Sequence, residues 1–150
     1  MTTMRNRTLI LALLATASLT AFAAKEESVD VLIARAESVQ PNDRPALYLK
    51  IADLKAAAAD KLYDNGNPDA AKTTLQDVVT YSQKATDAAI ATGKKLKNVE
   101  ITLRKMSEKF RDIKRTVAFD DQAPLQQTAD ELEKMRTDLL SAMFGKKKGK

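Results

Sequence analysis

The sequence predicts an all-α protein, elongated and made of antiparallel helical hairpins and coiled coil around one long helix, and three observations carry that expectation. The first is an apolar stripe that advances in steps of four and three from Ala71 to Val117, through Leu75, Val78, Ser82, Ala85, Ala89, Thr92, Leu96, Val99, Leu103, Met106, Phe110 and Ile113. Steps averaging 3.5 residues keep to one face of a helix and form a coiled-coil seam. The second is that the strong helix breakers flank this stripe. Only Gly93 lies within it, and a glycine costs about 1 kcal/mol against alanine in a helix interior without removing a backbone donor. The third is a set of shorter amphipathic segments on either side, each bounded by Pro, Gly or Asn.

A continuous helix over about 69–117 would form a rod of roughly 74 Å. Gly93 leaves one alternative open: as a left-handed helix terminus it would divide the rod, and a compact four-helix bundle would follow.

Residues 1–23 carry Arg5 and Arg7, an apolar run from Leu9 to Leu14 extended by small residues to Phe22, and the triplet Ala21-Phe22-Ala23. That succession predicts an export signal cleaved after Ala23, hence a periplasmic or extracellular protein. No later segment is apolar over the length that a bilayer span needs. Val29, Leu32, Ile33 and Ala36 are spaced for a short helix near 27–39, which Pro41 and Pro45 close. Leu47, Ile51, Leu54, Ala58 and Leu62 mark a helix over about 45–63, with alanines at 56–59 that allow close approach. In the turn Asp64-Asn65-Gly66-Asn67-Pro68, Asn65 or Gly66 can take the left-handed conformation, while Asn67 caps and Pro68 opens the next helix. Leu125, Ala129, Leu132, Met135, Leu139, Ala142 and Met143 place a last helix over about 124–144, paired antiparallel with Leu96–Val117. One helical domain over 24–145 results, followed by a lysine-rich tail at 146–150 with no apolar residue, expected to be disordered.

Within this frame Ala59, Leu62, Gly66, Ala71 and Leu75 stand at the offsets of the packing and turn residues of a tetratricopeptide repeat, and the phrase from Gly66 to Ala71 resembles that family's inter-helix turn. The resemblance covers a single unit, residues about 46–92. It implies a helical hairpin, without the concave peptide groove that needs several stacked repeats.

The chain has neither Cys nor His. Disulfides, thiol nucleophiles and Cys- or His-based metal sites are therefore excluded, and helix packing has to supply the stability. Asp64, Asn67 and Asp69 are oxygen donors in one turn but lack the alternate spacing of a calcium loop, so helix capping is the expected role. Asp120 and Asp121 have no basic or nucleophilic neighbour in the sequence that would make them catalytic. No enzyme activity, metal or cofactor is expected.

Charge divides the chain. Residues 24–93 carry 8 basic and 11 acidic side chains, and residues 94–150 carry 15 and 9. Two functional expectations follow. The first is a scaffold or interaction protein of the cell envelope, which binds a partner or a second copy through apolar residues that a thin rod leaves off the seam: Val79, Ile90 and Ile101. The alternative is binding of an anionic lipid or glycan by a basic face of Lys94, Lys95, Lys97, Arg104, Lys105, Lys109 and Arg111 together with Lys146, Lys147 and Lys148. Nucleic acid is the least favoured anion, because the basic face has no aromatics for base stacking.

Overall fold

A computed structural model describes residues 27–145; the export signal expected at 1–23 and the lysine tail expected at 146–150 lie outside the described residues. Five helices follow one another: α1 Val29–Ser38, α2 Arg44–Asp64, α3 Pro68–Thr92, α4 Leu96–Lys114 and α5 Phe119–Phe144. The described residues contain no strand, and the fold is all-α. None of these helices is long and apolar enough to cross a membrane.

The single long helix over 69–117 is corrected by the structure. The chain leaves the helix after Thr92, with Gly93 at φ 68° and Lys95 at φ 60°, both in the left-handed region. The Gly93 N–H still donates to the Ala89 carbonyl at 2.8 Å, and the Lys94 N–H turns to Thr92 Oγ1 at 3.3 Å. Burial explains the reversal. A rod covers one side of its seam, whereas folding back lets both halves share one core, at about 25 cal/mol per Å² of apolar surface. Leu75, Val78, Ala85 and Ala89 before the turn are accordingly buried, as are Val99, Leu103, Met106 and Phe110 after it.

Cross-helix pairs fix the directions. Lys55 on α2 meets Asp77 on α3 at 2.8 Å, and Tyr48 stacks obliquely with Tyr81, so these helices run antiparallel. Arg136 meets Glu100 at 2.6 Å and Ser107 Oγ donates to the Ala129 carbonyl at 3.3 Å, so α4 and α5 are antiparallel too. Lys72–Asp121 (3.4 Å) shows that α3 and α5 start at the same end, and with Lys109–Asp60 (2.7 Å) the two hairpins stack into an up-down-up-down bundle. One end carries the Gly93 connection, the start of α2 and the finish of α5. The other carries the α2–α3 turn and the α4–α5 loop.

Buried alanines are frequent on both helices of the first hairpin, Ala52, Ala56 and Ala59 on α2 and Ala71, Ala85 and Ala89 on α3. The larger core side chains come chiefly from α4 and α5: Leu103, Phe110, Leu125, Leu132 and Leu139. The short α1 lies along α2 with Leu32 and Ala36 fully buried. Its Glu37 accepts from the Tyr48 hydroxyl at 3.0 Å and from Lys84 at 3.3 Å, while the Lys84 ammonium sits 5.4 and 5.6 Å from the centres of the Tyr48 and Tyr81 rings. The hydrogen bond from Tyr48, helped by Lys84, lowers the Glu37 carboxyl below its ordinary value. Burial, with the adjacent carboxylate, raises Tyr48.

At the far end the turn predicted at 64–68 is present. Gly66 takes φ 69°, its N–H bonds the Tyr63 carbonyl at 3.0 Å, and the Asn67 N–H reaches the Leu62 carbonyl at 2.8 Å, which is a Schellman closure. Asn67 occupies the cap position of α3 but, against the expectation from the sequence, makes no side-chain cap bond. The last helix starts earlier than 124. It begins at Phe119, with Asp120 and Asp121 in its first turn, where carboxylates are favoured by the helix dipole, and Pro124 inside it. Proline there removes only one hydrogen bond beyond those that the first turn lacks anyway.

Ser82 occupies a seam position with its hydroxyl buried and unpartnered among the described residues. Ser82→Ala is therefore expected to stabilise the fold by about 1 kcal/mol, because it removes a desolvated polar atom and leaves the packing intact. Urea unfolding checks this; a destabilised variant would mean that the hydroxyl has a partner.

A candidate anion-binding groove

The bundle sorts the basic residues into two sets. Arg104 lies 4.0 Å from Glu100 and 3.6 Å from Glu108, Lys109 lies 2.7 Å from Asp60, and Arg111 lies 4.0 Å from Asp130 and 3.9 Å from Glu133. These surface pairs stabilise by only tenths of a kcal/mol, yet each places a carboxylate where an incoming anion would sit. Lys94, Lys95, Lys97 and Lys105 are exposed and form no ion pair with another described residue. Lys146, Lys147 and Lys148 lie outside the described residues.

Lys95 and Lys105 join Lys50 of α2 in a groove of about 450 Å³ between α2 and α4. Ala46 and Leu49 give it an apolar side, and Asn98, Thr102 and Asp53 add neutral donors and one carboxylate. The parallel course of α2 and α4 builds it, setting Ala46, Leu49 and Asp53 beside Lys95, Asn98 and Thr102 in that order. Lys50 is not legible as a site residue in the sequence, where it stands alone, 45 positions from Lys95. Its one sequence signal is a place off the Leu47–Ile51–Leu54 stripe.

The start of α4 strengthens the positive field. Its cap residue is Lys95, no side chain accepts from its free N–H groups, and no acidic residue occupies its first turn. Partial positive charge at a helix N-terminus, about half an elementary charge, thus adds to Lys94, Lys95 and Lys97. A non-glycine residue in the left-handed region costs roughly 1–2 kcal/mol more. Each feature raises the free energy of the protein alone, and an anion in the groove offsets the first two.

The apolar trio fares differently. Val79 is half-buried and packs on the core beside a depression between α3 and α5, and Ile101 is half-buried on α4. Ile90 remains 40% exposed. The turn at Gly93 divides the three between two helices, so the continuous uncovered strip expected of a rod does not form.

No family model, no curated protein and no solved structure matches this chain.

Proposed function

We propose that the protein is a non-enzymatic binding protein of the cell envelope that holds an anionic polymer or surface through the Lys50–Lys95–Lys105 groove and the adjoining Lys94 and Lys97. The observation that supports this most is the clustering of cations without acidic partners among the described residues about the start of α4, whereas Arg104, Lys109 and Arg111 further along it are paired. Three ammonium groups beside an amide and a hydroxyl suit phosphate, sulfate or carboxylate oxygens, and the apolar side accommodates the carbon skeleton that carries them. The partner-protein reading has less support, because the rod that motivated it is absent.

Dextran sulfate is a suitable soluble probe. Binding should weaken steeply as salt rises, since exposed charges are screened over about 8 Å at physiological ionic strength. Replacing Lys50, Lys95 and Lys105 together by Gln should weaken it roughly 10- to 100-fold. Replacing Arg104, Lys109 and Arg111 by Gln removes the same charge from paired sites and should cost clearly less. Equal losses would mean that net charge alone attracts the polymer and that the groove is not a site.

A further inference from the structure

We infer, resting on this anion-binding reading, that its physiological form is end-on docking to an anionic lipid bilayer, with Phe144 entering the interface and Lys94, Lys95 and Lys97 against the headgroup phosphates. The two ends of the bundle provide the contrast that carries the inference. Each presents an exposed phenylalanine, Phe144 at 63% and Phe119 at 85%. Phe119 is followed directly by Asp120 and Asp121, charges that an anionic surface repels. Phe144 lies at the lysine-bearing end.

The register of α4 against α5 makes that placement specific. Arg136 meets Glu100 and Lys114 hydrogen-bonds Gln126 at 2.8 Å, and the same antiparallel progression carries Phe144 to the level of the Gly93 connection and the start of α4. Ile90, exposed on the last turn of α3, belongs to this end as well. In sequence, Gly145 and then Lys146, Lys147, Lys148 and Lys150 follow Phe144 immediately. An aromatic side chain beside unpaired lysines combines the two terms that hold proteins at anionic interfaces: apolar burial at the acyl boundary and attraction to phosphates. A soluble polyanion would use the lysines but leave Phe144 and Ile90 in water.

The chain contains no tryptophan, so Phe144→Trp and Phe119→Trp each give a single fluorescent reporter. Vesicles of phosphatidylcholine alone and of phosphatidylcholine with phosphatidylglycerol, with brominated acyl chains as quencher, provide the probe. Emission of the Phe144→Trp variant should shift to the blue and be quenched on the mixed vesicles but not on phosphatidylcholine, whereas that of Phe119→Trp should stay unchanged on both. Replacing Lys94, Lys95 and Lys97 by Gln should lower partition about 100-fold, each surface lysine contributing roughly fivefold. Phe144→Ser should lower it about tenfold. An unquenched Phe144→Trp variant that still binds dextran sulfate overturns bilayer docking and leaves the anion-binding reading standing. Loss of both responses overturns both.

Discussion

Phe110→Ala is expected to destabilise the protein by about 3–5 kcal/mol, a large part of the 5–15 kcal/mol that a domain of this size possesses. Phe110 is fully buried and leads the largest fully buried side chains, and it stands on the seam of α4. Its cost should fall toward the upper end of the range for a geometric reason. Leu103, Leu125, Leu132 and Leu139 of α4 and α5 have no exposure, and cross-helix pairs such as Arg136–Glu100 hold the two helices, so they cannot easily close over a cavity. Phe110→Leu, which keeps most of the volume, should cost ~1 kcal/mol. Urea unfolding of the two variants measures both, and a loss below ~1 kcal/mol for the alanine would remove Phe110 from the core.

Gly93→Pro should cost ~3 kcal/mol or more. Proline holds φ near −65°, whereas Gly93 stands at 68°, and the substitution also deletes the donor to the Ala89 carbonyl. Gly93→Ala separates the two architectures more sharply. An added Cβ meets nothing within 4 Å, so the whole penalty is the left-handed backbone, about 1–2 kcal/mol. In a continuous helix alanine would instead stabilise by up to about 1 kcal/mol. The sign of that one substitution, read from thermal unfolding, distinguishes a turn from a rod.

Helix identity is legible in the sequence because apolar spacing and punctuation agree. Pro41, Pro45, Gly66 and Pro68 bound elements close to where the periodicity places them. The break at Gly93 is hidden by phase. Ala85 and Ala89 face the core from α3, Val99 and Leu103 face the same core from α4, and a three-residue connection happens to keep the four-and-three count intact. A seam shared by two antiparallel helices and one running through a single helix look alike in sequence. Pro124 misplaces the start of α5 for a different reason: proline is tolerated early in a helix, not only at its first position, and Asp120 and Asp121 are the better start signal.

The site is half legible. Lys94, Lys95, Lys97 and Lys105 can be read from charge patterning. The neutralisation of Lys109 by Asp60 cannot, because it depends on the stacking of two hairpins that brings together residues 49 positions apart in the chain. Lys50 reaches the groove by the same stacking. Arg111 meets Asp130 and Glu133 because the antiparallel pairing expected of α4 and α5 brings the acidic residues of α5 beside it. Asp121 pairs with Lys72 of α3 instead, since α5 starts beside α3.

Everything proposed about the lysine-bearing end depends on the chain reversing at Gly93, and a distance measurement tests that reversal directly. The protein has no cysteine, so Thr73→Cys and Thr116→Cys, both at exposed positions, create the only two sites for spin labels. In the bundle both belong to the end where Pro68 and Thr116 line one depression, and pulsed dipolar spectroscopy should give a separation under about 30 Å, a few helix spacings. A separation near ~65 Å, the length of an unbroken helix between these positions, would contradict the fold and the site built on it.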